Sequence, residues 1–318
     1  MSTVEPEIAA ALAALPVIDF ADPVAQRAAF QELAADPVPP DPRVSTQDHI
    51  VVRPDGSHLL VRSYRPRELS GALPAVMWFH GGGFVFGSVD VDDFYCAELA
   101  VRAGAVVLSV EYRLAPENPF PAGVEDCYLA TCWAAGQPAD AHWDGARLAV
   151  AGGSAGGNLA AVVALMARDR GGPQLALQVL LCPAVQGEGR EPSGRVYERA
   201  TSVVVPEDNP HILRHYLGST DKPVPRYAVP SADDDLSGLP PAYVLVAGLD
   251  YLRESGAEYA LALDRAGVSV ELHLVPNVPH GFDAIAITAP TSRRIVAEYC
   301  GALVKALGQP ATSTAALP

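Results

Sequence analysis

Ser154 stands at the centre of Gly152-Gly153-Ser154-Ala155-Gly156, a G-x-S-x-G between a short apolar run and a long alanine-rich stretch of amphipathic pattern. Small residues at these positions let a strand reverse sharply into a helix and hold the serine at the apex in a strained backbone conformation. The hydroxyl then projects above the sheet, and the start of the helix turns backbone N–H groups toward whatever binds there. A serine so placed can act as a nucleophile if the chain also supplies a base, an acid to orient that base, and donors for developing negative charge. The pentapeptide alone is weak, because small residues flank a serine by chance in any glycine-rich chain.

His280 lies in VPNVPHGF, a loop after an expected strand. Imidazole can take the serine proton and return it to a leaving group near neutral pH; the plainer role is local hydrogen bonding. His142, His211 and His215 fall in expected helices or an insertion, and His273 lies inside a strand. Asp250 ends AYVLVAGLD at a strand-to-helix junction, where an acid can fix the imidazole tautomer and stabilise the imidazolium. Aspartate before a helix is also a common N-cap. Asp283 is the rival acid, although it follows His280 too closely to come from an independent strand end.

Gly81-Gly82-Gly83 follow an apolar strand ending in His80. They are a flexible loop, or a place where backbone N–H groups approach a ligand with no Cβ in the way. A tetrahedral oxyanion needs such donors, and losing one typically costs on the order of 10²–10³ in rate. Neither glycine cluster is a phosphate loop: Asn158 stands where the first would need Lys, and neither fits G-x-G-x-x-G opening a βαβ unit.

Residues this far apart must be brought together by a sheet. From Gln47 the chain reads as β: HIVVRP and HLLVRSYRP flank Asp55-Gly56, a hairpin signal, and LPAVMWFH runs into the glycines. Helices are expected over Phe94–Arg102, Val124–Ala135, Glu254–Ala266 and Ser292–Leu307, and after Ser154. They alternate with the strands AVVLSVEYR, LAVAGG, LQVLLCPAV, AYVLVAG and VELHLV. This alternation predicts an α/β fold: a mostly parallel central sheet covered by helices on both faces, with an antiparallel hairpin at its start. In such sheets reactive groups gather past the carboxyl ends of strands, where His80–Gly83, Ser154, Asp250 and His280 all fall.

The expected boundaries are an N-terminal helical segment at 1–45, core at 46–186 and 231–308, an insertion at 187–230 and a disordered tail at 309–318. In the first segment Ile8, Leu12 and Leu15 fall at helical spacing before Pro16, and a second helix is expected over Val24–Ala35. The segment reads equally well as part of a lid or as a surface arm.

With 318 residues, 49% of them hydrophobic and 19% charged, the chain has the size and composition of a globular protein with a full core. A net charge of -15 argues against nucleic acid and anionic lipid as partners and favours a neutral or cationic small molecule. The 5 cysteines are scattered, with no zinc spacing, and read as reduced thiols in a cytoplasmic protein. The N-terminus lacks the early basic residues of a signal peptide, and no stretch is long enough to span a membrane, so no stable membrane anchoring is expected.

The chain order Ser154, Asp250, His280 with HGGG upstream is that of α/β-hydrolases. More closely, the chain resembles the hormone-sensitive-lipase-like family of carboxylesterases. The matching residues are His80-Gly81-Gly82-Gly83-Phe84, Tyr112 to Glu117 with Phe120-Pro121-Ala122, Gly152 to Ala160, Asp250 with Leu252-Arg253, and His280-Gly281-Phe282. The resemblance implies an α/β-hydrolase fold with a helical cap over the active site, formed by 1–45 and 187–230. It implies Ser154 as nucleophile, His280 as base and Asp250 as its orienter, with backbone N–H groups of Gly82, Gly83 and Ala155 as oxyanion donors. His80 and Tyr112 to Glu117 would be scaffold.

The activity it implies is hydrolysis of short-to-medium acyl esters, with no cofactor or metal. The same groups also suit an amide, carbamate or activated aryl ester. A non-catalytic receptor of the same fold is disfavoured, since such relatives lose the histidine. Phe20, Phe30, Val203 to Val205, Leu213 and Tyr216 suggest an apolar substrate site. Two positions depart from the family: Gly153 stands where Asp or Thr is usual, removing a side-chain anchor for the elbow, and Tyr251 stands where Pro is usual. Whether the chain works alone or as a homodimer is left open.

Overall fold

Residues along the central strands alternate between two apolar layers, and that alternation builds the molecule. In strand β3 (Leu73–Phe79), Leu73, Ala75, Met77 and Phe79 enter one core while Val76 and Trp78 enter the other. Strand β7 (Ala242–Ala247) divides the same way, with Val244 and Val246 on one side and Tyr243 and Leu245 on the other. Strands buried on both faces need helices on both faces. This computed structural model describes residues 4–27, 40–137, 142–185, 202–219, 223–230 and 235–308.

The remaining strands are β1 (Val44–Val52), β2 (His58–Pro66), β4 (Val106–Val110), β5 (Trp143–Gly153), β6 (Gln178–Leu181) and β8 (Val270–Val275). The eight strands form one sheet in the order β1-β2-β4-β3-β5-β6-β7-β8. Strand β2 is antiparallel to both β1 and β4, and every other neighbouring pair is parallel. The α/β architecture expected from the sequence is therefore the one that forms. The hairpin expected at Asp55-Gly56 is present, but its connection is the longer stretch Arg53–Ser57, closed by Arg53 N–H to the Ser57 carbonyl at 2.8 Å. Strand β1 also begins at Val44, ahead of the expected Gln47.

Helices α3 (Ala122–Ala135), α4 (Ala155–Asp169) and α6 (Arg253–Arg265) cover one face through residues such as Cys127, Leu159 and Leu263. Helices α1 (Pro6–Ala14), α2 (Asp93–Ala103) and α8 (Pro290–Leu307) cover the other through Ile8, Leu99 and Leu303. Two shorter helices are α5 (Asn209–Leu217) and α7 (Phe282–Ile285). Among the described residues no helix is long and apolar enough to cross a membrane.

Two expectations about helices change. Helix α4, amphipathic by pattern, is buried at every position from Ala155 to Ala167. It lies beneath β3, β5 and β6 and beside α3, and its alanines and glycines permit that close contact. His142, expected in a helix or the insertion, precedes β5 in a bend. Of the helix expected over Val24–Ala35, residues 23–27 are helical and the rest lies outside the described residues, as does the tail.

The turn from β5 into α4 is closely packed. A Cβ on Gly156 would lie 1.8 Å from the Phe79 carbonyl oxygen, and one on Gly152 would lie 2.3 Å from the Gly156 carbonyl oxygen. Beneath the catalytic end, Asp126 of α3 joins Arg53 and Arg113, with contacts of 2.7 Å to Arg53 Nε and 2.9 Å to Arg113 Nε. Burial opposes the Asp126 charge, but the two guanidinium groups prevail and hold its pKa below the ordinary value.

Gly156→Ala should therefore lower the unfolding free energy by about 3 kcal/mol, since backbone must move to admit the methyl. Gly301 of α8 has nothing within 4 Å of an added Cβ. Gly301→Ala should raise stability by about 0.4–1 kcal/mol. Urea midpoints of the two variants give the comparison.

Candidate active site

Ser154 adopts φ 58° and ψ −118°, a conformation that costs a non-glycine residue about 1–3 kcal/mol and persists only where its surroundings enforce it. Its N–H donates to the Leu181 carbonyl at 2.8 Å, and its own carbonyl accepts from Ala184 N–H at 3.0 Å and Asn158 N–H at 3.1 Å. Asn158 Nδ2 adds a bond to the Ala184 carbonyl at 2.9 Å. The elbow is thus tied to β6 and the segment after it through main chain and Asn158.

Past the ends of β7 and β8, His280 Nδ1 and Asp250 Oδ2 lie 2.6 Å apart, both buried. The other Asp250 oxygen accepts Leu252 N–H at 3.0 Å, so the carboxylate also serves the turn that leads into α6. The N-cap-like role and the histidine contact coexist on one residue. Burial disfavours charge on His280, but the Asp250 charge and hydrogen bond, helped by the field of Asp283, prevail and raise its pKa. Asp283 is turned elsewhere: its Oδ2 accepts the Tyr95 hydroxyl at 3.0 Å, and burial pushes its pKa up. Cys182, at the end of β6, completes this corner: donor atoms of Cys182, Asp250 and His280 lie within 4.8 Å of one another.

The glycine loop after β3 turns on Gly82, whose carbonyl accepts from Val85 N–H at 3.1 Å and Phe86 N–H at 2.8 Å. The N–H groups of Gly82 and Gly83 stay outside the turn's own bonding. Gly82 has φ 111° and a Cβ there would sit 2.5 Å from the Phe86 carbonyl oxygen, so only glycine fits. His80 braces the loop from below, its ring stacked on Tyr112 at 4.1 Å and its Nδ1 2.8 Å from the Gly81 carbonyl. Burial lowers the His80 pKa to about 4, which makes it a neutral, structural imidazole. Tyr112 donates its hydroxyl to the His80 carbonyl at 2.9 Å, in keeping with its reading as scaffold.

Ser154, Gly82, Gly83 and His280 open on one cavity of about 770 Å³. Ala155 follows Ser154 at the first turn of α4. Residues from the N-terminal segment and the insertion form part of the wall, among them Phe20, Val203, Val204 and Leu213. Val205 and Tyr216 are buried but do not line it; Tyr216 stacks on Phe84 at 3.8 Å. Phe30 lies outside the described residues. Tyr251, at the position where Pro was expected, lines the cavity.

The wall further includes Trp78, Asp92 and Tyr95. Trp78 Nε1 donates to Asp92 Oδ2 at 2.6 Å, and burial pushes the Asp92 pKa up to about 6. No local pattern in the sequence marked these residues, because they reach the cavity only through the packing of α2 under the end of β3.

Comparison with known proteins identifies the fold and the kind of relatives the chain has. A family model described as alpha/beta hydrolase fold matches residues 76–284. Esterase LipI of Mycobacterium tuberculosis is 39% identical over 294 residues, covering 89% of both chains. Carboxylesterase NlhH of the same organism is 40% identical over 252 residues, covering 78% of each. The solved structure of a hyperthermophilic esterase from the archaeon Pyrobaculum calidifontis superposes with a TM-score of 0.86 at 36% identity, covering 95% of this chain and 98% of that one. The chain belongs to the α/β-hydrolase family, on the hormone-sensitive-lipase-like side that its motifs indicate.

Proposed function

We propose that this protein is a serine carboxylesterase that hydrolyses short-to-medium acyl esters through an acyl-enzyme. The observation that carries the reading is the buried His280–Asp250 pair at 2.6 Å, opening on the same cavity as Ser154 at its strained elbow. The relatives named esterase and carboxylesterase support the same bond type.

In this reading Ser154 Oγ attacks the ester carbonyl while His280 Nε2 accepts its proton. Asp250 holds the imidazole through Nδ1 and stabilises the positive charge that develops on it. The N–H groups of Gly82, Gly83 and Ala155 receive the oxyanion. His280 then gives its proton to the departing alcohol, and the acyl group stays on Ser154. Water activated by His280 attacks that acyl-enzyme and releases the acid, restoring the serine. His80 takes no part, since a neutral buried ring stacked on Tyr112 has no route to the substrate. The N-terminal segment and the insertion form the cap, whose apolar side chains receive the organic part of the ester. The free cysteines support a cytoplasmic location.

Turnover of a short-chain chromogenic ester tests the proposal. Ser154→Ala should abolish it, and equal turnover by wild type and variant would sink the assignment. Asp250→Asn should lower kcat by up to roughly 10⁴. If Asp283→Asn had the larger effect, the acid would be misassigned.

The pH profile gives a separate check. His280 must be unprotonated to act as base, and its raised pKa puts the acid limb of kcat/KM above the ordinary imidazole value of about 6.5. Asp283→Asn removes a negative charge that favours the imidazolium, so the limb should move to lower pH. A limb unmoved, or moved upward, would contradict this account of the field at His280.

A further inference from the structure

We propose that Gly153 keeps open a bay on the His280 side of Ser154, and that this bay takes the side branch of a secondary alcohol, making such esters substrates. The inference rests on the esterase reading and names the alcohol it is built to release.

The glycines around Ser154 are not equivalent. An added Cβ would come within 1.8 Å of another atom at Gly156, 2.3 Å at Gly152, 2.5 Å at Gly82 and 2.8 Å at Gly83. Gly157 and Gly81 are crowded as well, at 3.0 Å and 3.1 Å. At the first four an added Cβ would force atoms to move, and at Gly157 and Gly81 a neighbour would have to give by a few tenths of an ångström. At Gly153 the nearest atom is the Leu181 carbonyl oxygen at 4.0 Å, and its φ lies outside the left-handed region. Neither packing nor backbone conformation calls for glycine at this position. The residue is half-buried and lines the cavity next to the reacting hydroxyl, so the absent side chain leaves space in the place where substrate sits.

Strand order tells which part of an ester meets that space. Gly153 pairs with Leu181 of β6, and the Leu181 carbonyl oxygen is the one atom that an added Cβ would meet, at 4.0 Å. The oxyanion loop follows β3, on the opposite side of β5. Asp250 and His280 follow β7 and β8, beyond β6. His280 must hand its proton to the departing oxygen, so the alcohol leaves on the β6 side of the tetrahedral centre. The carbon bearing that oxygen then lies over Gly153. Leu181, Ala184 and Val203, which line the same cavity, are apolar, which suits an alkyl branch. The bay adjoins the carbinol carbon itself, so branching there is what it can sense.

The test compares esters of equal carbon count. Wild type, Gly153→Ala and Gly153→Val are assayed for kcat/KM on isopropyl butyrate, n-propyl butyrate and n-propyl isobutyrate. Ratios are taken within each variant, which cancels any difference in the folded fraction. Wild type should turn over the isopropyl ester. The isopropyl to n-propyl butyrate ratio should fall at least about tenfold in Gly153→Ala and further in Gly153→Val, the scale of one methyl group in a tight pocket. The isobutyrate to butyrate ratio should hold.

An unchanged isopropyl ratio would overturn the proposal, as would a wild type inert toward the isopropyl ester. A fall confined to the isobutyrate ratio would place the bay on the acid side and overturn it too. Loss of all turnover in Gly153→Ala would show that the position is not open. Absence of Ser154-dependent turnover of n-propyl butyrate by wild type would instead remove the esterase reading itself.

Discussion

The close approach of helix α4 to the end of strand β3 governs the geometry of the catalytic end. The Phe79 carbonyl occupies the volume that a side chain at Gly156 would need, and the Gly156 carbonyl does the same at Gly152. With both positions reduced to backbone, the chain can leave β5 and enter α4 in the space of one residue. Ser154 absorbs the reversal in a positive-φ conformation, held by main-chain bonds to β6 and the segment after it. The strain at one residue is maintained by contacts spread over several. Ala155 inherits its place as the first helical residue from the same reversal.

Two buried histidines show how environment decides the use of one side chain. His80 meets a carbonyl and an aromatic ring, has no charged partner, and has its pKa lowered to about 4. His280 is buried as deeply, yet the carboxylate at 2.6 Å outweighs desolvation and raises its pKa. The first braces a loop in one protonation state. The second keeps an affinity for protons suited to general-base work near neutral pH. The opposite shifts follow from the acidic neighbours that His280 has, Asp250 foremost and Asp283 beside it, and that His80 lacks.

The chain outside the sheet contributes by shaping the glycine loop as well as by covering it. Phe20 and Ile212 both pack where a Cβ on Gly83 would stand, and Phe84 is held under Tyr216. Arg27, from the N-terminal segment, donates to the Val85 carbonyl at 2.6 Å and to the Ala115 carbonyl, and meets Glu117 at 2.8 Å. The segments proposed as the cap are therefore bonded to the loop that carries the proposed oxyanion donors. The placement of Arg27 and that of the loop are physically linked.

Much of this was legible in the chain before any coordinates. Apolar runs alternating with helical stretches marked the strands, and VELHLV was delimited to the residue as β8. The glycines around Ser154 carried the elbow, because only absent side chains permit that reversal. Motif order drew attention to Ser154, Asp250 and His280, which lie far apart in sequence. Local patterns failed where a property belongs to neighbours distant in the chain. Helix α4 looked amphipathic but is enclosed, since its outer side is covered by elements the pattern cannot represent. Trp78 and Tyr95 looked like ordinary strand and helix residues, and nothing marked Asp92, until packing brought them to the cavity. Asp250 and Asp283 could be ranked from sequence, but only the fold gave Asp250 the contact with His280 and turned Asp283 to Tyr95. Gly153 appeared as a missing anchor, and only the surrounding atoms reveal it as open space. Sequence determines which backbone conformations and buried faces are available; distances between groups carried on different strands, and the space left between them, are decided by packing.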